Sequence, residues 1–220
     1  KFQTFTVEKN YNKQSTDPKK LEWAKSLEIT NEELFEIIDY CKEQKITFLS
    51  TPFDIESALF LNDLVPAFKI ASGDNNFFPL IEVIARTEKP IIMSTGFMEI
   101  EEIKESSHFI RRIWDENGIR QELALLHCVS VYPTPPEQTN LRSINKLKRI
   151  VHTVGYSDHT LGIEAAVLSV ALGARIIEKH FTLDKNHSDF RDHSLSSDPE
   201  EMRRLVCKIK CASEYLGREK

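Results

Sequence analysis

The sequence lacks the features of a membrane or secreted protein. No hydrophobic run approaches the roughly 20 residues that a membrane-spanning helix needs. No signal peptide opens the chain, and its first residue is Lys1 rather than methionine. We therefore expect a soluble protein, and we expect the numbering to begin inside a longer protein.

Positive charge is not in excess either. The chain has 29 Lys and Arg residues against 34 Asp and Glu, a formal net charge of −5, and the two signs are interspersed. Proteins that bind nucleic acids carry a basic stripe or patch that attracts the phosphate backbone. The charge distribution therefore argues against nucleic acid as the main partner, and any bound anion must be met by local groups.

Cysteine is scarce and shows no metal-binding spacing. The four cysteines, Cys41, Cys128, Cys207 and Cys211, form no CxxC pair and lie within apolar periodic segments. This spacing favours buried, reduced thiols over disulfides or zinc ligands. Reduced thiols in turn indicate a cytoplasmic protein.

The sequence does contain a regular alternation of two kinds of segment. Seven short β-rich runs are apolar on consecutive residues, as in parallel strands buried on both faces: 2–7, 46–50, 67–72, 90–95, 123–128, 151–157 and 174–180. Segments of helical periodicity lie between these runs and after the last one: 31–44, 54–64, 77–87, 99–116, 140–148, 162–172 and 199–216. The alternation predicts an α/β fold with a parallel sheet.

Polar residues at the ends of the runs distinguish two such architectures. A doubly wound sheet concentrates ligand groups at one switch point, whereas a (β/α)8 barrel collects them from every strand around one mouth. Here polar side chains follow nearly every run, at Ser50, Thr51, Ser72, Ser94, Thr95, Ser130, Tyr132, Ser157, His159 and His180. The pattern favours a single-domain (β/α)8 (TIM) barrel over residues 1–220, with its first β/α unit absent. The polar segment 8–30 is expected to be a long loop that forms a lid or a subunit contact.

Two histidines could bind a metal ion. His159 in "SDHT" and His180 in "EKHFT" follow consecutive runs, so we expect them on neighbouring strands about 5 Å apart. Imidazole pairs suit Mn, Fe, Co or Zn when oxygen ligands or water fill the other positions. The alternative is two unrelated polar side chains, because histidine is often a hydrogen-bonded core residue.

A second group of residues could bind an anion. Lys69 lies inside an apolar run, where a charge is costly unless an anion compensates it, and Lys1 could be a second cation. Hydroxyls and backbone amides suited to phosphate or carboxylate occur at Ser72, Ser94, Thr95, Gly96, Ser130 and Ser157. Each residue alone is compatible with a turn or cap role, but the set together predicts an anion site.

Two loops could complete this site. Tyr132 opens the rigid stretch "YPTPP" and could present its hydroxyl. The last loop, "SDFRDHSLSSDP", contains Asp189, Arg191, Asp192 and His193. These charged residues are either solvated or part of the site. The adjacent His127 and Cys128 are not expected to pair, since neighbouring strand residues point to opposite faces.

Several stretches together resemble the sialic acid synthase family (N-acetylneuraminate synthase-like), whose members are phosphoenolpyruvate-dependent synthases of nine-carbon acidic sugars. The matching stretches occur in family order over nearly the whole chain: "KFQT", "FLSTPFD", "FKIASGD", "PIIMSTGF", "LLHCVSVYPTP", "VGYSDHT", "GARIIEKHFTLD" and "RDHSLSSDPEE". One such string would be weak evidence, whereas the ordered set is specific.

The resemblance implies a fold, a reaction and a cofactor. The fold is a (β/α)8 barrel. The reaction condenses phosphoenolpyruvate with an N-acylated amino-sugar aldehyde, typically N-acetylmannosamine, and releases phosphate. The cofactor is a divalent metal, usually manganese, with magnesium or cobalt as alternatives. The full-length form is expected to be a homodimer that uses neither nucleic acid nor a membrane.

The resemblance also assigns roles by position. His159 and His180 would be the metal ligands. The phosphate and carboxylate of phosphoenolpyruvate would be held by Lys1, Thr51, Lys69, Ser72, Ser94, Ser130 and Ser157. The sugar would face Gln3, Asp74, Tyr132 and Asp192. The expected catalytic residues are Lys69, Tyr132, His159, His180 and Asp192.

This chain departs from the family pattern at several points. Asp74 stands where some members have Glu, Ser130 stands where some have Asn, and "DFRDH" replaces a more usual Gly-Pro-Asp-His. The family's first strand, with a sugar-binding Glu, and its C-terminal antifreeze-like domain have no counterpart in these residues. Two rivals therefore stay open: another phosphoenolpyruvate-dependent deoxy-ketoacid sugar synthase, and a catalytically silent barrel that acts as a binding module.

Overall fold

The structure is a computed structural model that describes residues 1–10, 16–188 and 190–217. Its strands are β1 (Phe2–Thr4), β2 (Ser50–Pro52), β3 (Phe68–Ile70), β4 (Ile91–Ser94), β5 (Leu123–Cys128), β6 (Thr153–Asp158) and β7 (Ile176–Lys179). Its α-helices are α1 (Val7–Asn10), α2 (Pro18–Ser26), α3 (Asn31–Glu43), α4 (Ile55–Leu61), α5 (Phe78–Ala85), α6 (Ile100–Asn117), α7 (Ile144–Leu147), α8 (Glu164–Ala171), α9 (Arg191–Leu195) and α10 (Pro199–Leu216).

The predicted alternation is confirmed. Each predicted run contains or overlaps one of the strands β1 to β7, and each predicted helical segment contains or overlaps a helix. The pairs β1–β2, β5–β6 and β6–β7 are all parallel. The fold is therefore an α/β fold with parallel strand pairing, and the closed barrel stays a prediction. Every helix in the described part of the chain is too short or too polar to span a bilayer.

The prediction that residues 8–30 form one long loop is wrong. Most of this segment that the structure describes is helical, in the end of α1 and in α2. Helix α2 begins at a conventional N-terminal signal, since the Asp17 carboxylate accepts a hydrogen bond from the Lys19 backbone N–H at 3.0 Å and Pro18 occupies the first turn. Only Ala24 of this helix is buried, so its sequence shows little apolar periodicity.

The chain forms two compact units, one of residues 1–92 and 108–122, the other of 93–107 and 123–220. In the first unit, the indole N–H of Trp114 on α6 donates to the Ala85 carbonyl at the end of α5, at 3.0 Å. In the second unit, β6 lies between β5 and β7, and α8 packs on α10 through Ala166 and Leu205. The central position of β6 places the residues that follow it beside both neighbouring strand ends.

Gly155 on β6 is required by the close approach of its neighbours. A Cβ at this position would lie 2.3 Å from the Ile176 carbonyl oxygen and 2.4 Å from a Leu126 methyl carbon. Carbon and oxygen atoms do not approach this closely without a shift of the strands. Gly155 therefore sets the spacing of the β5–β6–β7 sheet.

Gly155→Ala is accordingly expected to lower the free energy of unfolding by about 2 kcal/mol. Denaturant unfolding followed by circular dichroism would measure the change. Gly73→Ala is the control, because its added Cβ would meet no atom within 4 Å. A loss in the Gly155 variant no larger than in the control would contradict the crowding at β6.

The expectation of four buried thiols is only partly correct. All four cysteines are free; Cys128 is buried and Cys41 is half-buried, but Cys207 and Cys211 are exposed. Helix α10 turns Leu205 toward the core. Cys207 and Cys211 lie one turn apart on its solvent side, so the apolar composition of this segment did not indicate burial.

Candidate active site

The second unit places two imidazoles side by side. In the β6–β7 ladder, Asp158 is the partner of Lys179, so His159 and His180 follow at the carboxyl ends of adjacent parallel strands. Their ring centroids lie 5.3 Å apart. The expected location on neighbouring strands is confirmed.

The environment of His159 orients its ring. His159 is 5% exposed, and its Nδ1 lies 2.8 Å from the Val129 carbonyl oxygen and 3.8 Å from the Cys128 sulfur. A carbonyl oxygen only accepts, so Nδ1 carries the proton and Nε2 keeps its lone pair, which is the tautomer that a histidine metal ligand with this hydrogen bond would need. Burial opposes the charged imidazolium, but the contacts with Cys128 and Val129 outweigh burial and raise the pKa of His159.

The neighbouring His127 takes no part in this cluster. Its Nε2 lies 2.7 Å from the Thr139 carbonyl oxygen, and its ring stacks on Tyr156. Cys128, one residue along β5, approaches His159 instead. The rejection of a His127–Cys128 pair is therefore supported.

Tyr132 and Asp192 join the two histidines. The Tyr132 ring centroid lies 4.1 Å from that of His159 and 5.9 Å from that of His180. An Asp192 carboxylate oxygen lies 3.8 Å from Nδ1 of His180, and both side chains are about 30% exposed. The structure thus brings together four of the predicted catalytic residues at one edge of the second unit.

Glu178 belongs to the same region but was not predicted. Its carboxylate accepts a hydrogen bond from the Ser157 hydroxyl at 2.6 Å. Glu178 lies on β7, and His180 directly follows this strand two residues later. The signal was a carboxylate two residues before His180 within an apolar run, a position where an unpaired charge is costly.

The first unit contains the buried cation of the predicted anion site. Lys69 on β3 is 4% exposed, and its ammonium donates to the Ile70 carbonyl oxygen at 2.9 Å. Thr51 is also buried and is the ladder partner of Gln3. The Thr51 hydroxyl has no hydrogen-bond partner among the residues that the structure describes, as expected of a group that meets a ligand.

Asp74 carries an unusual carboxyl group in this unit. One carboxylate oxygen is buried with no partner in the described part of the chain. Burial raises the pKa of Asp74 to about 6. A carboxylate kept in a costly environment is a common mark of a functional site.

The raised pKa predicts a pH-dependent stability. An unfolded aspartate loses its proton near pH 4 and the folded one near pH 6, so the protein loses stability as the pH rises through this window. Asp74→Asn removes this loss. We expect its melting temperature to match that of the unmodified chain at pH 4 and to exceed it at pH 7.5. A constant difference in melting temperature between pH 4 and 7.5 would contradict the pKa shift.

The remaining predicted residues differ in exposure. Lys1 and Gln3 are exposed, Ser72 and Ser130 are half-buried, and Ser94 is buried. Asp189 and the side chain of Arg191 lie outside the described part of the chain. Within the described part, no group of three or more His, Cys, Asp or Glu side chains is arranged to hold a metal ion. A metal here would have the two imidazoles as its ligands, completed by water or substrate oxygen.

A comparison with known protein families identifies a family that is consistent with the order of the sequence motifs and with the cluster of Tyr132, His159, His180 and Asp192. A model of the NeuB family matches residues 1–220. The chain belongs to the NeuB family. It is 49% identical over 219 residues to an uncharacterised protein of Methanocaldococcus jannaschii, with 99% of this chain and 62% of that protein covered. It is 41% identical over 206 residues to the N,N'-diacetyllegionaminic acid synthase of Campylobacter jejuni, with 92% and 60% covered.

A solved structure shows the same architecture. The N-acetylneuraminic acid (sialic acid) synthetase of Leptospira borgpetersenii serovar Hardjo-bovis, in complex with citrate, superposes with a TM-score of 0.90 and 31% identity. The match covers 100% of this NeuB chain and 74% of that one. The chain thus spans about three fifths of the two sequence relatives and three quarters of this structural one.

Proposed function

We propose that this NeuB-family chain condenses phosphoenolpyruvate with an N-acylated amino-sugar aldehyde, giving a nonulosonic acid of the sialic acid type and phosphate. The observation that carries the proposal is the cluster of Tyr132, His159, His180 and Asp192 in a chain of this family. Relatives named as legionaminic acid and N-acetylneuraminic acid synthases support an acylated amino sugar as acceptor. Because these relatives are named for different acidic sugars, the acceptor is proposed only as a class, the N-acylated amino-sugar aldehydes.

Lys69 is proposed to bind the anionic end of phosphoenolpyruvate. A buried ammonium attracts an anion strongly, and phosphoenolpyruvate offers a phosphate and a carboxylate. The buried Thr51 hydroxyl would donate a hydrogen bond to one of these groups. The other groups proposed for this substrate are Lys1, Ser72, Ser94, Ser130 and Ser157.

The proposed reaction forms one carbon–carbon bond and breaks one ester bond. C3 of phosphoenolpyruvate attacks the aldehyde carbon, and the positive charge that develops at C2 is quenched by water. The former aldehyde oxygen takes up the proton that the water loses and becomes a hydroxyl. The tetrahedral intermediate then breaks its C2–O bond to phosphate, which leaves with the proton of the C2 hydroxyl, and the keto acid remains. Fixed cationic and hydroxyl groups around the phosphate would stabilise the charge that leaves with it.

Asp74 is suited to proton exchange in this sequence. With a pKa of about 6, its carboxyl is present in both protonation states near neutral pH. We propose that Gln3, Asp74, Tyr132 and Asp192 face the sugar. Asp74 would then hold or release a proton at its buried carboxylate oxygen.

The donor set fits a divalent metal, for which manganese is proposed. His159 presents Nε2 because Nδ1 is committed to the Val129 carbonyl, and the ring of His180 is adjacent. A bound metal would supply Lewis acidity to the aldehyde oxygen. The two imidazoles would hold the metal, and the Tyr132 ring would lie against both imidazoles. A cytoplasmic homodimer is proposed as the working form.

The experiment that tests this function is phosphate release from phosphoenolpyruvate with Mn²⁺ and a panel of acceptors. The panel contains N-acylated mannosamine-type sugars. It also contains aldose phosphates, to test for the rival activity of a phosphoenolpyruvate-dependent deoxy-ketoacid sugar synthase. The Campylobacter legionaminic acid synthase is the positive control. Release with an acylated amino sugar supports the proposal, and release with aldose phosphates alone overturns it. Absence of release with every acceptor, while the control turns over, would favour the silent binding module.

A further inference from the structure

Strands β6 and β7 are joined by side-chain bonds at the two ladder positions before the histidine pair. The partners at these positions are Ser157 with Glu178, and Asp158 with Lys179. The Ser157 hydroxyl donates to Glu178 at 2.6 Å, and the Lys179 ammonium donates to Asp158 at 3.0 Å. Because successive residues point to opposite faces of a strand, the sheet is bonded on both faces.

The second of these pairs is a buried ion pair with further bonds. The side chains of Asp158 and Lys179 are 0% and 2% exposed. The Lys179 ammonium also donates to the Thr160 carbonyl oxygen at 2.5 Å. The second Asp158 oxygen accepts from the Thr160 backbone N–H and hydroxyl, at 2.9 and 2.8 Å. We call Asp158, Thr160 and Lys179 the β6–β7 clamp.

Stability alone does not account for a buried ion pair. Two ions lose hydration when they are buried, and an apolar pair of similar volume is often equally stable or more so. The best-attested use of such pairs is to specify one register among several. The position of the clamp in the chain indicates which part of the molecule depends on the register of β6 and β7.

The clamp surrounds the two imidazoles. His159 lies between Asp158 and Thr160, and His180 directly follows Lys179. Lys179 thus bonds to residues on both sides of His159. The bonds among Asp158, Thr160 and Lys179 therefore restrain the chain on both sides of His159 and directly before His180.

We infer that the β6–β7 clamp is a positioning device that fixes the separation and angle of the His159 and His180 rings for a shared metal ion. The inference rests on the proposed metal site and adds the residues that preorganise it. Imidazole nitrogens bind Zn²⁺, for example, at about 2.0–2.1 Å, so two ligands on separate strands must converge on one point to share a metal. A small slip of β7 along β6 would separate the two nitrogens without unfolding either strand.

The test is the double variant Asp158→Asn with Lys179→Met. It leaves no unpaired buried charge, and the amide oxygen of the introduced asparagine can still accept the hydrogen bonds that Thr160 donates. We expect the variant to fold and to bind Mn²⁺ at least tenfold more weakly, measured by electron paramagnetic resonance of free Mn²⁺. Lys179→Arg, which keeps the charge and the donors, should keep the affinity within about threefold of that of the unmodified chain.

A matched ion pair in the same unit is the control. Lys185 and Glu201 lie 2.5 Å apart and are only partly exposed. Lys185→Met with Glu201→Gln makes the same kind of chemical change outside the β6–β7 ladder and should leave Mn²⁺ affinity unchanged. Equal affinity in the folded clamp variant and the unmodified chain would overturn the inference. If the double variant does not fold, Thr160→Val replaces it, with an expected loss of about threefold.

A readout without metal separates this inference from the proposed function. Nuclear Overhauser contacts between the His159 and His180 rings should be present in the metal-free chain and lost or weakened in the clamp variant. If the unmodified chain binds no Mn²⁺, the proposed metal site fails, whereas the ring contacts still decide whether the clamp positions the rings. Unchanged ring contacts in the variant would reject the clamp.

Discussion

Replacing His180 with alanine is expected to weaken Mn²⁺ binding at least a hundredfold, about 2.7 kcal/mol, while the fold stays intact. His180 is half-buried at the end of β7, and its ring lies 5.3 Å from that of His159. Since the described residues hold no third histidine, cysteine or carboxylate arranged to share a metal with this pair, loss of one imidazole leaves a single protein ligand. Calorimetric titration with Mn²⁺ and a thermal melt measure the two effects.

His152→Ala is the matched control for this variant. His152 is exposed just before β6 begins, beside Arg175, and so lies at the opposite end of the strand from His159. The His152→Ala variant should bind Mn²⁺ with the same affinity as the unmodified chain. Undiminished binding by the His180 variant, or the same loss in both variants, would refute the assignment of the ligands.

Replacing Lys69 is expected to raise the dissociation constant of phosphoenolpyruvate at least tenfold, about 1.4 kcal/mol. The alanine variant tests loss of the whole side chain, and Lys69→Met keeps most of the buried stem while removing the charge. Lys69 is 4% exposed on an apolar strand, so its ammonium interacts with an incoming anion with little screening by water. Titration followed by tryptophan fluorescence measures the affinity.

Lys89→Met is the control for the charge itself. Lys89 is a half-buried lysine in the same unit, and its ammonium also donates to backbone carbonyls, those of Asn62 and Val65. Its removal should change phosphoenolpyruvate affinity less than twofold. A change below twofold in the Lys69 variants would count against Lys69 as the anion site.

Helix α2 and the exposure of the two cysteines of α10 were not predicted from the sequence patterns. Periodicity detects a helix by its apolar face, and α2 buries one residue. The cap at Asp17 was the available signal, because capping depends on local hydrogen bonds rather than on burial. For α10, composition indicated an apolar environment, but only its packing against α8 decides that Leu205 is inside and Cys207 outside.

The order of strands and helices and the adjacency of His159 and His180 could be predicted from the amino-acid sequence. Burial on both faces makes parallel strands apolar throughout, and consecutive parallel strands commonly lie side by side. The sequence did not predict which side chains meet across strands, such as Ser157 with Glu178, and Cys128 with His159; the folded structure shows these contacts. These contacts depend on the register of strands that are far apart in sequence, and a slip of one residue would turn each side chain to the other face.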